Sequence, residues 1–448
     1  MAVFVFAWRR LASLQRLINS LQSAEYCGFN ISLTILLDVG ASPAVIAYSH
    51  AIRWAHGRQR VVEERPPPEC EGSAELRIAA NASSWGAVRG KCVGQGIRGM
   101  WIDVLGRELS AHEPPTAHPL PLEDDTEVSP LFYWWLRRAA RAYGPFDTRA
   151  GAWTSGAVRL ADGGATGGGA TGGGATGGAR SLPPSSASRL VGVSLYAPRL
   201  DEIHYPSRHW RPRWPSAART SPAFLFCLPC SWGALYFRAQ WEAFLRFYRL
   251  RTAPPLYDFA SEAAQKGKLA QREPLGDRAL AIPNCRASTW ARSWKRFMID
   301  FMYARGDVML YPNAPADESP GGRYTSLSFS TTYMERGAHS GTDGHFEIQA
   351  RDELRPSREH DKRKTVPLVS RVDVLRTLDA LATMPAYDRL PAISLLHVRA
   401  SGGLSELASR GRQFLEDAEK QTRASRGQFG ALRDAWLAPY ADGAAALL

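Results

Sequence analysis

The stretch Leu122-Glu123-Asp124-Asp125-Thr126-Glu127-Val128-Ser129-Pro130 decides how this chain is read. An apolar residue runs into three consecutive carboxylates, and a helix start follows at once. Ser129 can cap a helix and Pro130 suits a first helical position. Hard divalent cations prefer oxygen ligands, and Mg²⁺ or Mn²⁺ is usually held by one or two carboxylates plus substrate phosphates. A triplet of this kind at a strand end can therefore hold a cation against a diphosphate. It would equally suit a solvated acidic turn, where Asp and Glu favour the dipole of the following helix.

Working outward, the pattern on either side is strand and helix in alternation. Ala2–Ala7 is a short apolar strand. Leu11, Leu14, Leu17, Ile18 and Leu21 recur at helical spacing. Residues 31–37 form a strand that delivers Asp38 at its end; 43–55 read as a helix and 60–64 as a strand. This order predicts a parallel sheet whose ligands bind at its carboxyl edge. Residues 69–95 have no clear pattern. Leu131–Tyr143 reads as a helix with a wide aromatic face. Beyond it, strands are expected at 190–196, 223–228 and 308–311, with helices at 240–248 and 290–305, the latter closed by Gly306. Pro119 and Pro121 fall in the strand feeding the triplet, and proline in a central strand counts against that assignment.

Composition sets the outer limits. The chain has 448 residues, 45% of them apolar and 22% charged, with 14 Trp, which describes a folded protein with a real core. The net charge of +12 would suit nucleic acid, an acidic membrane or an anionic substrate. Only seven of the 55 basic residues are Lys, and the arginines are scattered rather than clustered. Zinc-finger, RNA-recognition and helix-turn-helix signatures are missing, so a basic nucleic-acid-binding protein is the lesser alternative. Six cysteines are too few and dispersed for a disulfide scaffold. Cys227-Leu-Pro-Cys230 has zinc or redox spacing without a second pair, and reads as a disulfide or two buried thiols. Asn30-Ile31-Ser32 and Asn81-Ala82-Ser83 are glycosylation sequons that matter only in the secretory pathway. No apolar run reaches the roughly 18 residues a membrane span needs. The opening Met1–Trp8 reads as a first strand, and an upstream anchor is expected to be missing from the gene model. Gly163–Ala179 is a low-complexity Gly/Ala/Thr run that would span roughly 20–25 Å as a flexible surface excursion.

The acidic stretch with Phe132-Tyr133 resembles the metal-binding segment of GT-A glycosyltransferases. It is similar to the N-acetylglucosaminyltransferases that initiate complex N-glycans and to a plant and algal group of nucleotide-diphospho-sugar transferases. Further pieces follow in the same order: Cys230-Ser-Trp-Gly-Ala-Leu-Tyr-Phe237 with Trp241 and Phe244, and Ser293-Trp-Lys-Arg-Phe-Met-Ile-Asp-Phe-Met-Tyr303 with Arg305-Gly306. Leu310-Tyr-Pro-Asn313, Ser328-Phe-Ser-Thr331 and Gly337-Ala-His339 complete the likeness over about residues 1–340, and Met384–Pro391 extends it toward the plant group.

The resemblance implies an α/β fold, a GT-A-like, Rossmann-related mixed sheet flanked by helices. Residues 1–162 would form the nucleotide-sugar-binding half, 163–188 a flexible insert, 189–342 the acceptor-binding half, and 343–448 a basic, partly helical C-terminal extension. It implies a metal-dependent transferase using a nucleotide-diphosphate sugar, UDP-linked, on a glycan or glycoconjugate hydroxyl, with inversion. The rival is a catalytically inactive relative that binds the same ligands. Asp125 would be the direct ligand of Mn²⁺ or Mg²⁺, and Glu123 and Asp124 would hold the donor's ribose or sugar. Asp38 would sit near the base, and Arg9 or Arg10 would meet the diphosphate, although a helix N-terminus alone attracts anions. Asp300 is the candidate base on the acceptor; Asp258, Glu262 and Asp277 are poorer ones. Trp232 would offer a stacking floor, and His339 would reach the diphosphate from a late loop. A bland role is open to each: a turn for Asp38, an exposed helix carboxylate for Asp300, core packing for Trp232 and a structural His339. Residence in the Golgi or the secretory-pathway lumen belongs to the same resemblance.

Overall fold

The computed structural model describes residues 1–66, 68–70, 96–111, 117–144, 146–147, 152–153, 189–198, 200–203, 208–209, 221–253, 281–290, 293–313, 328–332, 384–421 and 426–437. The chain begins with strand β1 (Ala2–Ala7), whose six residues are all buried. A strand buried on both faces has no reason to alternate, and this one does not. Helix α1 (Leu11–Gln22) buries Leu14, Leu17, Ile18 and Leu21 along one stripe. Strand β2 (Ser32–Leu37) follows. Helix α2 (Pro43–Ala51) is capped by Ser42, whose Oγ accepts from the Val45 N–H at 3.3 Å, with Pro43 in its first turn. Strand β3 (Gln59–Glu63) is only half-buried, as befits an edge.

A helical segment, α3, joins Gly96–Gly99, the π-type turn Met100–Val104 and Leu105–Ser110. Strand β4 (Pro119–Glu123) then pairs parallel with β1, giving a four-stranded parallel sheet in the order β3-β2-β1-β4. The two prolines fit because β4 ends this hydrogen-bonded sheet. Ala2 N–H donates to His118 O, and Asp124 N–H donates to Phe6 O. Along a strand, N–H groups alternate in direction. Those of 120, 122 and 124 therefore face β1, and the N–H positions that Pro119 and Pro121 lack face away from the ladder. The expected objection to this strand is answered by its register.

The acidic turn leads into β5 (Thr126–Val128), which pairs antiparallel with a late strand. Ser129 and Pro130 are not the first residues of the next helix. Ser129 Oγ accepts from Leu131 N–H at 3.1 Å in a turn, and α4 (Phe132–Tyr143) starts afterwards. The aromatic face of α4 packs inward: Trp135 donates to Ser194 O at 2.9 Å and stacks on Phe329. Two short hairpin partners, β6 (Phe146–Asp147) and β7 (Ala152–Trp153), follow.

The second half is a mixed sheet. It uses β8 (Leu190–Ser194), β11 (Ala223–Phe226), β12 (Ala234–Tyr236), β13 (Val308–Pro312) and β15 (Ala392–Ile393) in the order β12-β8-β13-β11-β15. Strands β9 (Leu200–Asp201) and β10 (Arg208–His209) pair separately, and β14 (Ser330–Thr332) is the partner of β5. Pairing is parallel for β8–β13 and β11–β15, and antiparallel for β12–β8 and β11–β13. The fold is thus α/β with mixed strand pairing and flanking helices. The loop entering β12 lies against β4, since a side-chain carbon at Gly233 would come within 3.4 Å of Leu122 Cδ2.

Helices α5 (Arg238–Arg251) and α6 (Trp294–Arg305) cover the mixed sheet. Ser293 caps α6, and Gly306 closes it in the left-handed conformation at φ 68°. Ten of the twelve α6 residues are buried: Trp294 stacks on Trp101, Phe297 and Phe301 pack on α5, and α7 (Gly403–Gln421) lies across the outer end. Contact there is backbone on backbone: a Cβ at Gly306 would meet Ala408 Cα at 2.6 Å, and one at Gly411 would meet Ala304 O at 2.3 Å. With β15 in the sheet and α7 on α6, the 384–421 segment is part of the body. Helix α8 (Arg426–Leu437) ends the described chain.

Gly306→Ala is expected to cost about 2 kcal/mol or more, combining a positive φ with a backbone clash. Gly430→Ala in α8, where the added methyl meets nothing within 4 Å, is expected to be stabilising by about 0.5–1 kcal/mol. Equal effects of the two in urea melts would contradict the packing of α7 on α6.

Candidate functional site

Parallel strands carry their carboxyl ends to one edge of a sheet. Here β1 leads to Arg9 and Arg10, β2 to Asp38, and β4 to Glu123-Asp124-Asp125, so six of the sequence candidates share that edge. Backbone hydrogen bonds stitch the strand ends together. Asp38 N–H donates to Ala7 O, Ser42 N–H to Trp8 O, and the Trp8 indole to Val39 O at 3.1 Å.

The acidic turn is anchored but open at its tip. Asp124 extends the β1–β4 ladder through its backbone and is 4% exposed. Asp125 follows with its side chain 16% exposed. Arg10, at the start of α1, reaches both: Nη1 donates to Asp125 Oδ2 at 2.7 Å, and Nη2 donates to Asp124 Oδ1. Burial alone would lower the guanidinium's pKa, but the charges of Asp125 and Asp124 outweigh it and hold Arg10 well above its ordinary value. Of the two candidate arginines, Arg10 engages the acids. Arg9 lies over the Trp8 ring, 4.1 Å from its centroid, and donates to Gly40 O at 3.3 Å.

Glu123 is held differently. The Trp101 indole donates to its Oε1 at 3.3 Å, and Trp101 stacks on Trp294 with centroids 4.0 Å apart. Desolvation first, then the neighbouring Asp125 charge, push the Glu123 carboxyl up to about 8. Asp38 is 2% exposed, and its carboxylate accepts from Val39 N–H at 2.8 Å and Gly96 N–H at 3.2 Å, tying the start of α3 to the end of β2.

Trp232 reaches the same region through β14. Ser330, paired with Val128 just after the acidic turn, donates to Trp232 O at 2.6 Å. The half-buried indole meets Tyr196 edge-on at 4.7 Å, and Lys295 Nζ lies 5.1 Å from its centroid, itself ion-paired with Glu202. The sequence reading missed Trp101, Trp294, Lys295 and Glu202 as neighbours of the site. The matched segment beginning at Ser293 was the signal that could have found two of them.

Asp300 is placed elsewhere. It is 2% exposed in α6, with Oδ2 3.7 Å from Arg251 Nη2 of α5, so its carboxylate is enclosed between helices. His339, Asp258, Glu262 and Asp277 lie outside the described residues. Cys227 and Cys230 are buried free thiols, with burial raising both pKa values, whereas Cys70 is disulfide-bonded.

Among the described residues, no three His, Cys, Asp or Glu side chains converge as an all-protein metal cage. What is present is a pair, Asp124 buried and Asp125 partly open, whose oxygens meet one guanidinium. That set fits a hard divalent ion whose remaining ligands come from phosphate and water. A cavity of about 540 Å³ lies by β3, lined by His50, Arg53, Trp54 and Arg60 among others, and carries no carboxylate. That cavity and the acidic turn are different places, and the chemistry is the more specific guide. No protein-family model matches the chain, and no curated protein matches it.

Two outcomes follow for the metal-free protein. Between the ordinary value of 4.5 and about 8, the folded chain keeps a Glu123 proton that the unfolded chain has released. Stability therefore falls as pH rises through that window. Glu123→Gln is expected to flatten that part of the pH–stability curve; an unchanged slope would contradict the environment described. Asp300→Asn, by cutting a buried ion pair, is expected to cost about 3 kcal/mol of stability, read from denaturant melts.

Proposed function

We propose that this protein is a metal-dependent, GT-A-type glycosyltransferase that takes a sugar from a nucleotide-diphosphate donor, UDP-linked, and passes it to a glycan or glycoconjugate hydroxyl with inversion. The observation that carries the reading is the shared carboxyl edge of β1, β2 and β4. It sets a partly open aspartate, Asp125, beside a guanidinium and the N-terminus of a twelve-residue helix. Each of the three favours a diphosphate: a cation ligand, a positive charge and oriented backbone N–H groups.

In this reading Asp125 holds Mn²⁺ or Mg²⁺, with Asp124 beside it. When bound, the ion would neutralise charge on the departing diphosphate. Arg10 and the start of α1 bind the phosphates. Glu123 and Asp124 orient ribose or sugar hydroxyls, and Asp38 fixes the wall near the base. Trp232 offers an apolar face to a sugar ring from the acceptor side. The Cys70 disulfide supports an oxidising compartment such as the secretory lumen. No helix among the described residues is long and apolar enough to cross a membrane.

One observation favours a second reading. With Asp300 enclosed against Arg251, the base named from sequence is not open to an acceptor, as a donor-binding relative without turnover would require. Incubating the protein with UDP-sugars and a broad acceptor panel separates the two, since transfer excludes the silent relative.

Calorimetric titration with UDP tests the main reading. Mn²⁺ is expected to tighten binding at least about tenfold in the wild type, and Asp125→Ala is expected to remove that gain while leaving the melting temperature near wild type. Equal affinity with and without metal would reject Asp125 as its ligand.

A further inference from the structure

Arg10 stands where a cation at the acidic turn would stand. Its two terminal nitrogens bond two different carboxylates, Asp124 and Asp125, rather than forking onto one. The Arg10 side chain is 21% exposed, against 5% and 16% for its partners. A divalent ion taking the same oxygens and a guanidinium bonded to them would bring like charges together at hydrogen-bond range. Arg10 is also the residue flanking α1, and its carbonyl accepts from Leu14 N–H in the first turn. A side chain rooted there needs only rotation to leave the acids and remain beside the helix N-terminus, where an anion is favoured.

We propose that Arg10 is a resident counter-cation: it holds Asp124 and Asp125 in the donor-free protein, cedes them to a divalent ion, and turns to the diphosphate. The inference rests on the metal-dependent donor reading and adds to it what pairs the two aspartates before the donor binds. Each charge stays paired through the exchange, with the carboxylates trading guanidinium for metal and the guanidinium trading carboxylate for phosphate. Metal without nucleotide must displace Arg10 with nothing to receive it, so either ligand favours the binding of the other. By linkage the coupling is reciprocal. Arg9, engaged with Gly40 O and Trp8, does not take part.

The test is Mn²⁺ binding in the absence of nucleotide, followed by UDP and uridine binding in its presence, for wild type, Arg10→Gln, Arg10→Lys, Arg9→Gln and Asp125→Asn. Arg10→Gln is expected to bind Mn²⁺ alone about tenfold more tightly. It should bind UDP with Mn²⁺ about tenfold more weakly and uridine unchanged. Arg10→Lys should fall between, and Arg9→Gln should alter Mn²⁺ affinity less than about twofold. Thermal melts show that each variant is folded, with Arg10→Lys serving if the glutamine variant is not. Mn²⁺ binding that Asp125→Asn abolishes but Arg10→Gln leaves unchanged or weakens would overturn the exchange and leave the metal site standing. Mn²⁺ binding that is absent, or indifferent to Asp125→Asn, would remove the metal reading and this inference with it.

Discussion

The parallel pairing of β1 with β4 is the constraint on which the rest depends. The two strands are more than a hundred residues apart in sequence, yet Ala2 faces Pro119 and Phe6 faces Glu123 in one register. A slip of one residue would set Glu123 where Leu122 now lies, fully buried opposite Val5. The register is held by burial: Leu120 and Leu122 are fully buried, and so are Val3, Phe4 and Val5. Once it is set, β4 must stop beside the end of β1, and the acids meet Arg10 as a consequence of apolar packing.

The same logic separates the two kinds of charge in this molecule. At the sheet edge, Arg10 and Asp125 keep 21% and 16% side-chain exposure, although Asp124 between them is buried. Against α5 and α6 they are enclosed: Arg251 with Asp300, and Lys295 with Glu202 just after β9, all sit at or below 7% side-chain exposure. A buried pair is costly to break but is weak evidence of chemistry. Lys295 stands between the two classes, since it is buried yet lies over the half-exposed Trp232.

Local periodicity carried most of the legible fold. The α1 stripe, the unbroken apolar run of β1 and the helix beginning at Pro43 could be read because each is decided within a dozen residues. Asp300 could not, because a charged residue in a helix looks exposed until α5 is known to set Arg251 beside it. Trp101 was hidden for a different reason: a π-type turn shifts the spacing that a helical pattern would use. Ser129-Pro130 misled by composition, since its turn is closed by a Ser129 Oγ bond one residue before α4 begins. At the site, the acidic triplet was legible as chemistry, while its pairing with Arg10 was set by the long-range register.

The most direct measurement of the central claim is a crystal structure with UDP and Mn²⁺, using anomalous scattering to locate the metal. The account predicts one manganese peak bonded to an Asp125 carboxylate oxygen and to the UDP phosphates, at the carboxyl edge of β1 and β4. A peak elsewhere, or UDP bound at that edge without metal at Asp125, would contradict it.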